Sequence, residues 1–388
     1  MQIVALIIFL ISLFIIFWAM IGYNMSVKFL GKLYKNKLVV KDYGHKPNVT
    51  VMVVAHNEEK VILDKLKNII QLDYPKDKIK FLISSDNSTD QTNDIVRNFI
   101  TENKDYDIKL YEVKQRKGKT NAQNEAARTV DTEYLVMTDA NSMLDKKSII
   151  ELMASFSNDN ISYVAGKLVY INSDVSDISN AENSYWDKET NIRSIESKIQ
   201  TITAGNGALY ACRTNEYIDF DLIESHDTAM PLYFSLKGQR AISNDEALVY
   251  EKAGEVVEDE FNRKVRMNRV LIRHILPDIA ILNIYKYKWF SYFYFGHRTC
   301  RYLLWIAHLI VFLASGILIQ TSNIFYLVFF GQVLFYLLAF VKFKFKIDNK
   351  YLNLIYYYTI TILAQWKGVY NITTGKAKPF WEKAESTR

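Results

Sequence analysis

The side chains best suited to chemistry in this sequence are acidic and amide groups that follow short apolar runs. Asp139 comes directly after the apolar run at 134–138, and Asn141 lies two residues later. A carboxylate and a second oxygen ligand at the end of a strand can bind a divalent cation that bridges a diphosphate. An aspartate in this position is also a common cap for a turn or helix. The pair therefore permits a metal site without requiring one.

Similar groups follow two other apolar runs, at 49–55 and 79–84. These groups are His56, Asn57, Glu58 and Asp86. Asp86 has a second interpretation, because Ser88 or Asp90 after it could cap the next helix. Lys119, in a short basic segment, could simply be solvated.

The elements that position these residues alternate along the chain. Strands are predicted at 49–55, 79–84, 108–113 and 134–138. Helices are predicted from Glu58 to about Leu72, from Asp90 to about Thr101, and after Gly118. Apolar strands separated by helices indicate a mostly parallel, Rossmann-like α/β sheet that is covered on both faces. Ligands of such sheets bind beyond the carboxyl ends of the strands, so the polar residues should converge on one crevice.

Two familiar nucleotide motifs are absent from the sequence. No G-x-G-x-x-G follows the first strand, and no G-x-x-x-x-G-K-[ST] occurs. A dinucleotide-binding site and a P-loop are therefore both disfavoured. Further along, a predicted helix at 183–199 places Trp186, Glu189 and Arg193 on one face. Such a face suits sugar binding, but packing beneath the membrane helices would explain it equally well.

In combination, these features resemble the membrane-embedded family-2 glycosyltransferases with a GT-A domain, over nearly the whole chain from about Asn48. Residues 53–59 look like the family's first strand and nucleotide loop, and 86–90 like its uridine-contacting turn. Gly118 and Lys119, followed by Asn124, resemble its lysine loop. Residues 139–141 resemble its D-x-D metal motif.

The later motifs of that family have counterparts as well. Residues 205–213 are similar to its substrate-shaping segment, and 226–227 fit the place of its catalytic base. Residues 263–267 align with its Q-x-x-R-W motif. Three departures matter: Asn141 replaces the second aspartate of the metal motif, and Arg263 and Met267 replace Gln and Trp. The missing Trp, expected beneath the acceptor sugar in polymerising members, puts processive synthesis in doubt.

The resemblance implies a single inverting displacement on a nucleotide sugar, expected to be a UDP-sugar, with Asp227 as the general base. It implies Mg²⁺ or Mn²⁺ on Asp139 and Asn141. The implied nucleotide-sugar residues are His56, Asn57, Glu58, Asp86, Lys119, Asp139, Arg263 and Arg266. The implied acceptor residues are Trp186, Gly205, Asn206 and His226. The arginines could equally form a basic helix face that rests on anionic lipid.

Apolar segments predict an integral membrane protein. No Asp, Glu, Lys or Arg occurs in 1–27 or in 302–341. A bilayer span needs about 20 such residues. We expect one span near the N-terminus and a hairpin of two, at about 302–319 and 324–341. Lysines after the first span and after the hairpin predict that the α/β domain is cytoplasmic.

Two further segments are less clear. Residues 279–295 mix aromatic residues with Lys286 and Lys288, which is typical of a helix that lies in the membrane interface; a soluble core helix is the alternative. Residues 351–366 form a run of only 16 residues, about 24 Å as a helix and short for a span. The basic tail after it favours the inside, whereas counting the run as a span would put the tail outside, so its side stays open.

The chain therefore divides into six predicted regions of its 388 residues. These are a membrane helix at 1–27, a basic linker at 28–47, a GT-A domain at 48–257, interfacial helices at 258–300, membrane helices at 301–370 and a basic tail at 371–388. The net charge of +6 lies largely beside the apolar runs, which favours a membrane surface over nucleic acid. Two cysteines, Cys212 and Cys300, cannot build a disulfide framework or a metal site and weakly suggest a reducing compartment.

Three functions are compatible with this sequence. The leading one is a plasma-membrane enzyme that builds a cell-surface polysaccharide. A second is the transfer of a single sugar to a lipid-linked acceptor. A third is an inactive membrane scaffold, which the retained Asp86, Asp139, Asp227 and Arg266 disfavour.

Overall fold

The computed structural model describes residues 2–35, 39–172, 177–254 and 257–380. The described residues form two compact units. An α/β unit contains residues 30–254, 284–290 and 378–380, and a helical unit contains residues 2–29, 257–283 and 291–377.

The α/β unit is built on one eight-stranded sheet, in the order β3-β2-β1-β4-β7-β6-β8-β5. Its strands are β1 Val49–Ala55, β2 Ile79–Ser85, β3 Ile108–Glu112, β4 Tyr134–Asp139, β5 Met143–Leu144, β6 Ile161–Tyr170, β7 Leu209–Arg213 and β8 Arg240–Glu251. The first four strands pair in parallel, whereas β7 runs antiparallel to both β4 and β6. The sheet is therefore mixed, with its parallel half at the β3 edge.

Fourteen helices are present in the described ranges. They are α1 Gln2–Leu33, α2 Ile62–Ile69, α3 Thr92–Glu102, α4 Lys119–Ala127, α5 Ser148–Ser155, α6 Asp177–Ile199, α7 His226–Leu236, α8 Val257–Met267, α9 Leu271–Ile275, α10 Ile284–Tyr287, α11 Trp289–Tyr302, α12 Leu304–Leu318, α13 Asn323–Phe345 and α14 Lys350–Thr373. Short 3₁₀ turns occur at Lys76–Lys78, Thr214–Glu216, Asn268–Val270 and Ile279–Leu282.

Apolar side chains fill both faces of the sheet. Along β1, Val51 and Val53 pack into one cluster of buried residues, and Met52 and Val54 pack into the other. Successive residues of a strand point to opposite faces, so a run that is apolar at every position must be covered on both sides. This explains why the 49–55 segment shows no polar alternation.

The sequence predicted the parallel strands closely. The structure confirms the strand at 49–55, extends those at 79 and 134 by one residue each, and ends the one at 108 one residue earlier. The helix expected from Glu58 to Leu72 is shorter, Ile62–Ile69. The chain after β1 first turns through Asn57, whose φ is +53°, and helical geometry begins only afterwards.

Two helices of the described chain are long and apolar enough to cross a membrane, Gln2–Leu33 and Asn323–Phe345. A third candidate is the pair Trp289–Tyr302 and Leu304–Leu318, which bends by 62° at the break between them. Helices α12 and α13 lie where the hairpin was predicted, and α12 is a candidate span only together with α11. Within the helical unit, Phe9 of α1 packs edge-on against Phe325 of α13, with ring centroids 5.2 Å apart.

One expectation for the C-terminal half was wrong. Residues 279–295 do not form one helix, because Lys288 adopts a left-handed φ of +55° between α10 and α11. The final helix is longer than the apolar run at 351–366, since α14 extends over 24 residues from Lys350 to Thr373. The side chain of Asn349 caps it by accepting the N–H groups of Tyr351 and Leu352.

Candidate active site

The strongest polar cluster lies at the carboxyl ends of the parallel strands. Lys119, the first residue of α4, forms an ion pair with Asp139, the last residue of β4. Its Nζ also lies 3.4 Å from the carbonyl oxygen of Gly207, which accepts a hydrogen bond. Both charged side chains are partly exposed. The crevice expected from the strand order therefore contains a paired cation and carboxylate.

Gly207 separates this ion pair from Asp227. A Cβ atom built at Gly207 would lie 3.4 Å from Nζ of Lys119 and 4.0 Å from Oδ2 of Asp227. The absence of a side chain at Gly207 keeps the space between the two groups open. Asp227 lies in the first turn of α7, and its Oδ1 accepts a hydrogen bond of 2.6 Å from the Ser225 hydroxyl. Its other carboxylate oxygen, Oδ2, is the one on the Gly207 side.

Asp86 is buried and holds the loop before Lys119. Its two carboxylate oxygens accept the backbone N–H groups of Lys117, at 3.1 Å, and of Gly118, at 2.9 Å. Asp86 therefore fixes the loop that leads into α4, whose first helical residue is Lys119. Asp90 is the residue at the start of α3, where it accepts the N–H of Thr92 at 3.0 Å.

The predicted nucleotide loop after β1 is tied to the turn after β2. Nδ1 of His56 is 2.8 Å from the carbonyl oxygen of Asp86. The Asn57 side chain accepts the N–H of Thr89 at 2.7 Å, and the backbone N–H of buried Glu58 donates to Thr92. Burial lowers the pKa of His56, and the nearby Arg116 guanidinium lowers it further. These contacts fix the loop, and a nucleotide role of the three residues stays a prediction.

The 205–207 segment is held by hydrogen bonds of the Gly205 backbone and of the Asn206 side chain. The Gly205 N–H donates to the carbonyl oxygen of Asp227 at 2.7 Å, which ties this segment to the start of α7. The Asn206 side chain is buried, where it donates to the carbonyl of Gly166 and accepts the N–H groups of Ala208 and Leu209. The acceptor role expected for Asn206 is untested, and its amide is occupied by the protein itself.

His226 lies inside the protein beside α4. Its Nδ1 is 2.6 Å from Oε1 of Gln123, and its Nε2 is 2.9 Å from the Tyr217 hydroxyl and 3.1 Å from Oδ1 of Asn124. Burial, with the Lys119 cation nearby, lowers the pKa of His226 to about 3. A neutral ring held on both nitrogens orients the start of α7, which carries Asp227.

The shared face predicted on α6 is present. Arg193 lies over the Trp186 ring, 5.2 Å from its centroid, and 3.9 Å from the Glu189 carboxylate. Glu189 and Arg193 are buried, and Trp186 packs against the apolar core of the sheet. This face therefore packs against the sheet within the α/β unit, and sugar binding by Trp186 stays a prediction.

The two predicted phosphate-binding arginines, Arg263 and Arg266, lie on α8 in the helical unit. Arg263 donates two hydrogen bonds to Glu260, of 2.7 and 3.0 Å. Burial would raise the pKa of Glu260, but the adjacent Arg263 and Lys264 cations hold it well below its usual range. Tyr357 of α14 also donates to this carboxylate. Arg263 thus helps to anchor α8, and the diphosphate role of both arginines is untested.

Few protein side chains near Asp139 could act as ligands of a metal ion. Among the described residues, no group of three or more His, Cys, Asp or Glu could hold one. A magnesium-type ion that is shared with substrate phosphates needs only one or two protein carboxylates. Asp139 already binds a cation, the Lys119 ammonium, and Asn141 adds an amide oxygen nearby in sequence. The residues therefore fit an ion whose coordination is completed by a bound diphosphate.

Sequence analysis missed two contributors to this region. Lys65 is fully buried behind Asp139, and its position between Ile62, Leu66 and Ile69 on the apolar face of α2 could have indicated this. The second is the chain after α14. A Cβ atom on Gly118 would lie 2.6 Å from the carbonyl oxygen of Pro379, and the Arg116 guanidinium lies over the Phe380 ring at 5.3 Å. No pattern in the tail pointed to this contact.

Comparisons with known proteins agree with this geometry. The family model for glycosyl transferase family 2 matches residues 50–224. A probable glycosyltransferase, YdaM of Bacillus subtilis, is 36% identical over 130 residues, which are 32% of this chain and 30% of that protein. A poly-beta-1,6-N-acetyl-D-glucosamine synthase of Staphylococcus epidermidis is 27% identical over 126 residues, which are 32% of this chain and 29% of that protein. The aligned segments thus cover less than a third of each relative.

Among solved structures, the mannosyltransferase PcManGT from Pyrobaculum calidifontis, in complex with GDP-Man and Mn²⁺, is similar in fold. It superimposes with a TM-score of 0.72 at 20% identity, over 95% of this chain and 99% of that one. This likeness confirms the predicted GT-A architecture with its accompanying helices. The segment that matches the family model contains the Asp86 loop, the Lys119–Asp139 pair and Gly207. Residues 50–224 of this chain therefore match glycosyl transferase family 2.

Proposed function

We propose that this protein is an inverting membrane glycosyltransferase that transfers a sugar from a nucleotide sugar of the UDP type to a growing cell-surface polysaccharide. The observation that carries the proposal is the placement of Lys119, Asp139 and Asp227 around Gly207. A cation and its carboxylate lie on one side of an open position, and a second carboxylate lies on the other. This arrangement suits a leaving group that gains negative charge opposite a hydroxyl that must lose a proton.

In the reaction, the acceptor hydroxyl attacks the anomeric carbon of the donor sugar. Oδ2 of Asp227 accepts the hydroxyl proton as the new carbon–oxygen bond forms. The bond between the anomeric carbon and the diphosphate breaks on the opposite face, and the diphosphate leaves with the electron pair. Lys119 stabilises the charge that develops on the departing oxygen. Attack opposite the leaving group inverts the configuration of the sugar.

A divalent cation completes the proposed donor site. Asp139 and Asn141 would hold Mg²⁺ or Mn²⁺, which supplies positive charge to the diphosphate when it is bound. With one carboxylate in place of two, the protein contributes less negative charge to this ion. The affinity for the metal should then depend strongly on the nucleotide. Asp86 supports the same site indirectly, since it orders the backbone that leads to Lys119.

The acceptor is the least constrained part of the proposal. Similarity to a polysaccharide synthase and the presence of apolar helices favour a growing glycan at the plasma membrane, with the α/β unit on the cytoplasmic side. Arg263 and Met267, which replace Gln and Trp of the family motif, favour the alternative, the transfer of a single sugar to a lipid-linked acceptor. An inactive scaffold is disfavoured, because Lys119, Asp139 and Asp227 all remain in place.

The test uses the purified full chain in lipid nanodiscs. It is incubated with radiolabelled UDP-sugars and GDP-mannose, one at a time, with Mg²⁺ or Mn²⁺, and the products are sized. A ladder of long products supports a polysaccharide synthase, and one lipid-extractable product supports the alternative. Absence of transfer and of nucleotide release with every donor, at a level equal to Asp227→Asn, would support the scaffold and refute the proposal.

A further inference from the structure

Lys65 is a charged side chain with no exposed surface, and it contacts the segment that carries the predicted metal ligands. Its Nζ donates a hydrogen bond of 3.0 Å to the Thr138 hydroxyl and a second one to the carbonyl oxygen of Ser142. Thr138 directly precedes Asp139, and Ser142 directly follows Asn141. One ammonium group therefore ties together both ends of the 139–141 triplet.

The face of α2 that carries Lys65 also holds the residues after the 139–141 triplet. Asn68, one turn after Lys65 on α2, accepts the N–H of Leu144 at 2.8 Å and donates to its carbonyl oxygen at 2.9 Å. Residues three apart on a helix lie on one face. The segment from Thr138 to Leu144 is thus fastened at three points to one rigid element.

Ser142, the residue after the triplet, is also held by groups outside α2. The Ser142 hydroxyl donates to the carboxylate of Glu251, the last residue of β8, and the Ser142 N–H donates to the carbonyl oxygen of Asp139 at 3.3 Å. Burial lowers the pKa of Lys65 to about 7, against the opposing effect of the Asp139 and Glu251 carboxylates. A lysine is costly at such a position unless its hydrogen bonds are satisfied. Methionine would fill the same space without that cost.

We propose that Lys65 is a positioning residue for the metal site: by bridging Thr138 and Ser142 it fixes the backbone of residues 139–141, so that Asp139 and Asn141 present their oxygens to one cation. The metal part of this inference rests on the proposed function. The ordering of the 139–141 backbone does not, because it follows from the hydrogen bonds alone.

The test compares Lys65→Met with Lys67→Met in the full chain. Lys67 lies on the same helix but is exposed, so the control makes the same lysine-to-methionine change without touching the triplet. Amide hydrogen exchange of residues 138–146 is measured without metal or nucleotide. Mn²⁺ binding is then measured in the presence of UDP, from the loss of the free-ion signal in electron paramagnetic resonance. We expect Lys65→Met to speed exchange in that segment at least about tenfold and to raise the Kd for Mn²⁺ by about 10- to 100-fold, the usual effect of losing an outer-shell partner.

Unchanged exchange and unchanged Mn²⁺ affinity in a folded Lys65→Met protein would overturn the inference. If that variant does not fold, Thr138→Val and Thr138→Ser decide, because only serine keeps the hydroxyl that accepts from Lys65. Equal Kd values for those two variants would also overturn it. Failure of the wild-type chain to bind Mn²⁺ with UDP would refute the proposed metal site instead, and the exchange measurement would still decide whether Lys65 orders the segment.

Discussion

The ammonium group of Lys119 is paired with the carboxylate of Asp139, the residue expected to bind the metal ion of the donor. One group begins a helix and the other ends a strand, so their contact is fixed by rigid elements on both sides. A donor diphosphate with its cation would bring two positive and several negative charges to this pair. Lys119 can then turn from the carboxylate to the phosphate oxygens.

Lys119→Gln should therefore impair transfer more than it impairs folding. Removing one stabilising group for a developing oxyanion typically lowers kcat by about 10²–10³-fold. Steady-state kinetics with a fixed acceptor measure this effect. Lys117→Gln is the matched control, because that side chain is exposed in the same loop and only its backbone N–H contacts Asp86. Equal kinetics for the two variants would contradict a phosphate role for Lys119.

Asp227→Asn should abolish transfer while donor binding persists, because an amide cannot accept the proton of the acceptor. Loss of a general base typically costs about 10²–10⁴-fold in rate. The check is turnover together with the affinity for UDP. Ser225→Ala keeps the carboxylate and removes only its 2.6 Å hydrogen bond, so a smaller loss is expected there. Wild-type turnover in Asp227→Asn would remove this residue from the mechanism.

The parallel half of the sheet was predictable because its strands are short, uniformly apolar and separated by helices. The edge of the sheet where the polar cluster of Lys119 and Asp139 lies followed from the same pattern. Antiparallel β7 was not predicted as a strand, since its residues were interpreted through the resemblance of 205–213 to a substrate-shaping segment. The break at Lys288 could not be foreseen either, because a lysine carries no signal for a left-handed conformation.

Residue types predicted which side chains lie near the carboxyl ends of the strands, but not the protein groups that each one contacts. Asp86, Asn57 and Asn206 were all expected to contact substrate, yet each one holds backbone groups of the protein. The same polar residue types can bind a ligand or hold a loop by hydrogen bonds. Only the three-dimensional partners distinguish the two roles. The burial of Lys65 could have been inferred from its place among Ile62, Leu66 and Ile69, but its partners Thr138 and Ser142 could not, because they are far from it in sequence.

His226 should make the folded state less stable as the pH falls below neutral. Its pKa is lowered from 6.5 to about 3 in the folded protein, so between these values the unfolded chain binds a proton that the folded chain does not. Stability contributed by the neutral ring is complete above pH 6.5 and declines as the pH drops, by at most about 1.4 kcal/mol per pH unit. Thermal unfolding from pH 7 to pH 4.5 should be less pH-dependent in His226→Gln than in the wild type. Parallel curves for the two proteins would show that the ring is not buried in its neutral form.

The tail after α14 should lie on the same side of the membrane as the α/β unit. The sequence did not determine the side of the tail. Its basic residues favour the inside, whereas a membrane crossing by the last apolar run would place it outside. In the structure Phe380 packs against Arg116, and the Pro379 carbonyl contacts the Gly118 position, both within the α/β unit. A polypeptide that returns to the side it left must cross the membrane an even number of times. The bent pair α11–α12 and α13 are the candidates for two such crossings, so we expect α14 not to cross.

Thiol labelling in intact cells tests this topology. Lys378→Cys and Ser88→Cys should both be protected from an impermeant reagent, and Ser322→Cys, between α12 and α13, should react. The native Cys212 and Cys300 are buried, so their background should be low. Permeabilised cells provide the control, in which Ser88→Cys and Lys378→Cys become labelled. Labelling of Lys378→Cys with protection of Ser88→Cys would place the tail across the membrane from the α/β unit, a result incompatible with Phe380 stacking on Arg116.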